Sequence, residues 1–425
     1  MTTRLNKLAY FVLCGTVIFT VLAYGAVHQP VIAFFYILIA MVSTLWLTAS
    51  FLSGELALSK SMLQVPLITL GVWGIVQMIP FGPWTISIDP FSTQVTAVHI
   101  LALAAFFGLA LALIDSEHRV ERTANLLLIF GFAYAFYAIL QLVLSPDSIY
   151  GIYRPQSRSP VGSFVNKHDF AAAIEMLMGI PLALLFTGAA GKEKRLIYAV
   201  AAVLMGASIL VSGSRGGLVA MFAEIFFVAL LAGRGGHRHS LWLKAGLAVL
   251  LVAGILFGAV FVGGDTSLTR FAVGQDDITS SRAHIWAVTL KVISAYLPFG
   301  TGLGAFAQGY TQFDDLGGPL RVEQAHNDYL QLLSDAGIVG LAIGTAWLYL
   351  FVKQGIRVVR TNSDLMRAIG LGALAGCFAV LVHSFFDFVL HIAAISVVFL
   401  TLLAVMVAAS RDDAPRSAGV IPLRG

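Results

Sequence analysis

Uninterrupted apolar runs of roughly 20 residues recur along almost the whole of this 425-residue chain, and about 20 residues is the length a helix needs to cross a bilayer. In hydrocarbon a backbone has no water to bond, so such runs must satisfy their own amides as helices. Spans are predicted at Leu8–Val27, Pro30–Phe51, Met62–Pro80, Val95–Ile114, Thr123–Leu144 and His168–Thr187, then at Leu196–Ser212, Gly216–Ala232, Leu241–Val262, Tyr329–Val352, Met366–Phe386 and Val389–Ala409. The expected fold class is all-α: a polytopic membrane protein of about twelve transmembrane helices. Residues 1–425 are expected to form one integral membrane domain with one long loop, 263–328. With 58% hydrophobic and 11% charged residues, the chain has too little polar surface to cover a soluble globule.

A net charge of +4 raises the question of nucleic acid, but the basic residues are scattered between apolar spans and build no basic face. Their distribution reports orientation. Most of the 26 Lys and Arg fall on the side that holds both termini, which the positive-inside rule makes cytoplasmic. The opposite side carries Arg154, Arg158, Lys167, Arg215, Arg270, Arg282, Lys291 and Arg321. Outer loops ordinarily avoid such residues, so these need a reason. The two cysteines, Cys14 and Cys377, both fall in predicted spans, which supports neither a disulfide framework nor a thiolate metal site.

The outer cations concentrate in three places. Arg154, Arg158, Lys167 and His168 surround a Pro- and Gly-containing loop that can deliver several cations to one anion. Arg215 sits in Ser212-Gly213-Ser214-Arg215-Gly216-Gly217, where small residues are expected to expose backbone N–H groups and let a ligand approach. A snorkelling arginine on lipid phosphate is the competing reading. Arg282 follows Thr279-Ser280-Ser281, a run suited to capping, and opens an expected amphipathic helix to Tyr296 with Ile285, Trp286, Leu290 and Ile293 at helical period. A loop of about 65 residues is long enough to be functional in its own right.

His326 marks the water-facing mouth of the next span, where an imidazole is suited to accept a proton. Asn327 beside it joins the candidate substrate-binding residues. His383 and Asp387 are four apart near the same end of the eleventh span and are expected to share a helix face and pair. Glu175 and Glu224 lie within spans without an evident partner. His237 and His239 fall on the cytoplasmic side, and neither Asp276-Asp277 nor Asp314-Asp315 has the alternating spacing that commonly holds a divalent ion, so arginines rather than a metal are expected to neutralise charge. Gly300-Thr301-Gly302-Leu303-Gly304 follows no βα pattern, so a dinucleotide loop is a poor reading.

These motifs together resemble those of the O-antigen ligases, within the larger superfamily of O-antigen ligases and polymerases. The resemblance is carried by Gly162-Ser163-Phe164-Val165-Asn166-Lys167-His168, by Ser212–Gly216, by Arg282 with Ile285-Trp286, by Pro298 with the 300–304 glycines, and by His326-Asn327 followed after nine residues by Gly337-x-x-Gly340. It covers Ile152 to Leu341. It implies transfer of a polysaccharide from an undecaprenyl diphosphate carrier to a sugar hydroxyl of lipid A-core, at the periplasmic face of the inner membrane, with no cofactor. In that scheme His326 is the general base, Arg215 and Arg282 hold the diphosphate with help from Arg154, Arg158 or Lys167, and Gly337 and Gly340 admit a neighbouring helix. A polymerase, with a lipid-linked repeat unit as acceptor, and a lipid-linked glycan transporter without chemistry remain the alternatives.

Overall fold

The computed structural model describes residues 2–155, 160–189, 191–233, 278–315, 321–411 and 419–422. Helices α1 (Thr2–Leu22), α2 (Gln29–Ser53), α3 (Gln64–Gln77), α4 (Pro90–Leu113), α5 (Glu117–Leu144) and α6 (Lys167–Thr187) come first. They are followed by α7 (Arg195–Ser212), α8 (Arg215–Leu231), α9 (Ile278–Tyr296), α10 (Phe306–Thr311), α11 (Asp328–Arg360), α12 (Asp364–His383) and α13 (Ala393–Ala409). The predicted span Leu241–Val262, Arg158, and residues 263–277 of the long loop lie outside the described residues. Among the described residues, eight helices are long and apolar enough to cross a membrane, and α3 and α13 are shorter apolar helices. The helix is not universal: Glu55–Leu58 and Gly419–Pro422 pair antiparallel as a two-stranded ribbon.

Helix ends depart from the hydropathy pattern where capping chemistry overrides it. Asp89 accepts from the Ser92 amide and Pro90 takes the first helical position, so α4 begins five residues before the apolar run. Conversely α11 runs on to Arg360 through Lys353, Gln354 and Arg357, because polar residues continue a helix that hydropathy alone would stop. The α7–α8 pair is two helices: Gly213 turns at φ +73° and Ser214 caps α8 through Gly217 N. Around Tyr296 the amphipathic helix buries Val288, Thr289, Val292 and Ile293, whereas Leu290, expected on the apolar face, is exposed. Its buried face meets Phe306, Tyr310 and Ala325 in a small core of its own.

Helix α6 is the central pillar, buried from Asp169 through Phe186, while α2 and α5 present Phe51, Phe136 and Leu144 outward. The pillar crosses α12 at glycines. A Cβ on Gly179 would strike the Gly372 carbonyl, and one on Gly376 would strike the carbonyl of Met176. Lipid tails are as apolar as leucine, so helices associate here by close backbone approach rather than by hydrophobic exclusion.

The glycines after His326 do different work from that expected. Among the described residues, the nearest atoms to a Cβ at Gly337 or Gly340 belong to the 298–300 segment and to α11 itself, not to a neighbouring helix. Gly337 (φ +61°) breaks α11 and receives the Pro298–Gly300 backbone, with Ile338 N donating to Pro298 O at 2.8 Å, and a Cβ on Gly340 would meet α11 itself. The 300–304 glycines form a bracket: Thr301 N and Gly302 N donate to the carbonyls of Ser334 and Asp335, and Gly304 N donates to the Asp335 carboxylate. Gln77 of α3 closes it, donating to the Phe299 and Asp335 carbonyls and accepting from Leu303 N. Three positive φ angles, at Gly300, Gly302 and Gly304, make that path open to glycine and closed to most other residues.

Gly376→Leu is expected to lower the thermal midpoint of detergent-purified protein sharply, since overpacking of this kind costs ~1–3 kcal/mol or more. Gly191→Ala, with nothing within 4 Å of its Cβ position, is the control and should leave it unchanged. Equal midpoints for the two would show that the α6–α12 crossing tolerates separation.

Candidate active site

The site grows from the N-terminus of α11. Asn327 caps that helix, its Oδ1 accepting from the amides of Tyr329 and Leu330 at 3.0 Å each, while its Nδ2 donates to the Phe385 carbonyl at 3.1 Å. Asn327, expected to bind substrate, is therefore committed to the backbone on all three counts. The cap forces the preceding residue out of the helix, and His326 adopts φ +49°, a left-handed conformation rare outside glycine. Neighbours hold it there. Ala325 N donates to Gln331 Oε1 and the Trp286 indole of α9 donates to the Ala325 carbonyl.

On the facing side, α12 ends at His383. Asp328 N donates to Ser384 O and the Tyr329 hydroxyl to Leu381 O, stitching the turn after α12 to the start of α11. That turn carries Asp387. Its carboxylate lies 3.0 Å from His326 Nδ1, 3.3 Å from Arg282 Nη2 and 3.9 Å from His168 Nδ1, and its own Oδ1 also accepts from Phe388 N. Burial opposes charging this group, but the His326 hydrogen bond, the neighbouring imidazoles and the positive charge of Arg282 outweigh burial and hold the carboxyl well below the usual range.

An ionised carboxylate only accepts, so His326 presents Nδ1–H to Asp387 and leaves Nε2 with a free lone pair. About a third of the His326 side chain is exposed, against 2% for Asp387. The imidazole thus has one nitrogen fixed by a buried anion and the other open, the arrangement a general base requires.

The expected His383–Asp387 pair does not form. Because the helix ends between them, the two side chains part: His383 Nδ1 lies 2.9 Å from Glu175 Oε1, both fully buried, and supplies the partner that Glu175 lacked in the sequence. Glu224 is buried with neither carboxylate oxygen hydrogen-bonded among the described residues.

Arg282 is brought to the site, but by a different route from capping. Helix α9 begins at Ile278, so Arg282 stands in its second turn and reaches Asp387 with its side chain. Arg215 is exposed, one residue after Ser214, whose hydroxyl lies 2.9 Å from His168 Nδ1. The glycines after Arg215 serve packing: a Cβ on Gly216 would sit 3.0 Å from the His383 ring, and one on Gly217 would sit 2.6 Å from Ala171 Cβ. Lys167 Nζ lies 4.0 Å from the Cβ position of Gly213, in the same turn. Arg154 is exposed beyond the Ile149–Tyr153 bridge, and no contact among the described residues brings it to Asp387.

His326 also lines a cavity of about 1870 Å³ bordered by residues of α2, α3, α4, α8, α9, α11, α12 and α13. Its walls are mostly apolar, with Ile32, Leu67, Leu348, Phe378 and Phe399 among them. Asp387, Arg282, Arg215 and Lys167 are absent from those walls, so the imidazole stands between a cationic face and an apolar chamber.

Among the described residues one group has metal-binding potential that the sequence did not suggest. His284 Nε2 of α9 lies 3.1 Å from Asp314 Oδ1 and 3.7 Å from Asp315 Oδ1. Thirty residues separate the histidine from the acids, which hides the grouping in the sequence, and Lys291 already offsets Asp315 at 3.3 Å. Neither His326 nor Asp387 belongs to it.

No curated protein matches this chain. A family model described as O-antigen ligase does match, over residues 200–344, a stretch that contains Arg215, Arg282, the glycine bracket, His326 and Gly337. Over that stretch the chain is similar to the O-antigen ligase family.

Proposed function

We propose that this protein is a glycosyltransferase at the periplasmic face of a bacterial inner membrane, transferring a polysaccharide from undecaprenyl diphosphate to a sugar hydroxyl of lipid A-core. The contact of His326 with Asp387, and of Asp387 with Arg282, at the mouth of a membrane-embedded cavity carries this reading. His326 Nε2 takes the proton of the acceptor hydroxyl as its oxygen bonds to the anomeric carbon of the donor. The bond from that carbon to the diphosphate oxygen breaks, and the electron pair leaves with the diphosphate. Arg282, with Arg215 and Lys167, stabilises the charge that develops there, where fixed cations act without reorganising. Asp387 keeps the imidazole in one tautomer and compensates the ring as it becomes charged.

In the membrane the chain forms a single domain over residues 1–425, with about twelve spans, both termini cytoplasmic and the 263–328 segment in the periplasm. Both substrates are lipid-linked and enter sideways between helices. The arginines make a metal unnecessary for charge neutralisation.

Purified protein with a defined undecaprenyl diphosphate glycan and two competing acceptors, lipid A-core and a lipid-linked repeat unit, is the decisive assay. Glycosylated lipid A-core is the expected product; elongation of the repeat unit instead would make the protein a polymerase, and no transfer to either would refute the enzymatic reading. In the same assay His326→Ala should abolish turnover and Asp387→Asn should reduce it by ~10²–10⁴, the usual worth of an oriented base. Turnover should persist in chelator, and activity that is lost and then restored by a divalent ion would implicate the His284–Asp314–Asp315 group. An impermeant thiol reagent added outside should label Arg154→Cys and spare Glu193→Cys, both exposed positions; the reverse pattern would invert the orientation.

A further inference from the structure

On α9, Arg282 and Trp286 are four residues apart and share the face turned to the candidate active site, where Arg282 meets Asp387 and the Trp286 indole donates to the Ala325 carbonyl. His284 stands between them in the chain, about 200° round the helix from Arg282, and looks the other way. There it meets the end of the segment that follows α10: its Nε2 lies 3.1 Å from Asp314 Oδ1 and 3.7 Å from Asp315 Oδ1. Lys291, seven residues on and therefore on the His284 face, reaches Asp315 Oδ2 at 3.3 Å.

One imidazole nitrogen makes one hydrogen bond, and Asp314 satisfies it. A second carboxylate at the same nitrogen is more than that bond requires. Side chains of consecutive residues ordinarily diverge, yet Asp314 and Asp315 each turn an oxygen to one point, and the three donor atoms all lie within 4.8 Å of one another. Two anions held so close repel unless positive charge stands between them, and Lys291 meets only the other oxygen of one. Donors that share an ion at bond lengths of about 2.0–2.2 Å sit about 3.0–3.5 Å apart, so this group closes on an ion through small side-chain shifts. Asp314, 9% exposed, supplies the fixed side, and Asp315, 63% exposed, has room to swing. An imidazole with two carboxylates suits Zn²⁺, whereas Ca²⁺ and Mg²⁺ favour oxygen donors throughout.

We propose that His284, Asp314 and Asp315 bind one divalent transition-metal ion, Zn²⁺ foremost, with water completing its coordination, and that the ion braces α9 against the segment after α10. His326 and Asp387 are outside the group, so the ion's part is structural: it holds from behind the helix whose front carries Arg282. The transfer proposed above draws nothing from this ion. Chelation therefore lowers the stability of the fold and leaves the chemistry in place.

Full-length protein purified in detergent without a polyhistidine tag, stripped with chelator and dialysed, is titrated calorimetrically with Zn²⁺, and its thermal midpoint is read with and without the ion. One equivalent is expected to bind, more tightly than Ca²⁺, and to raise the midpoint. Loss of a group that merely supports a metal ligand costs about ten- to a hundredfold in affinity, so His284→Ala and Asp315→Ala should each weaken Zn²⁺ binding by about a hundredfold or more and abolish the rise. Lys291→Met, which removes a competing cation, should bind at least as tightly as the unaltered protein. Unchanged affinity in His284→Ala would put the ion elsewhere in the chain. Weaker binding in Lys291→Met would make the cluster an ion-pair network and no more, and absence of binding by the unaltered protein would leave no site; each of these overturns the proposal. Asp315 is exposed, so its variant carries the test even where His284→Ala does not fold. These readouts do not involve glycan transfer, so they stand whatever the acceptor assay returns.

Discussion

One buried carboxylate organises the functional end of this molecule. Asp387 draws together His168 from the start of α6, Arg282 from α9 and His326 from the residue before the cap of α11. Those three side chains come from segments far apart in the chain, and each approaches from a different direction. A charge at 2% exposure is tolerable only with such compensation, because an uncompensated buried anion costs several kcal/mol. The same compensation aligns the imidazole. One contact settles both groups, since whatever keeps Asp387 ionised also keeps His326 Nδ1 occupied.

Around this contact the bundle separates polar work from apolar packing. Backbone-to-backbone crossings of glycine bring α6 and α12 so close that His383, at the end of α12, reaches Glu175 well inside the pillar. Directly after that pair the chain turns and releases Asp387 toward the mouth. The position of Asp387 is thereby fixed from below by buried packing and from the side by the stitches of Asn327, Asp328 and Tyr329 onto residues 381–385.

Much of this was legible in the linear chain, and the parts that were not share a cause. Runs of apolar residues located the helices, because the bilayer imposes one length and one hydrogen-bonding solution on all of them. Polar residues that cap or extend a helix, such as Asp89 and Arg357, shifted the ends because hydropathy is blind to capping. His326 and Arg282 stood out as ionisable groups where outer loops and helix mouths rarely place them. Their connection through Asp387 did not, since a spacing of four from His383 suggests a helical pair and nothing local announces that the helix stops in between. Asn327 and the glycines of 216–217 looked like ligand-binding elements because caps, close packing and ligand loops draw on the same small or amide-bearing residues.

The break at Gly337 separates α11 into a short upper segment, clamped by the 298–304 bracket, and a long lower segment that faces the chamber and its surroundings. Membranes vary in thickness, and long helices accommodate by changing tilt. Below Gly337 the segment carries Leu348 and Phe351 on the chamber, whereas above it Asp328, Gln331 and Asp335 are bonded to the loops. The end that carries His326 is thus held by the loops above it, apart from the lower segment that faces the chamber.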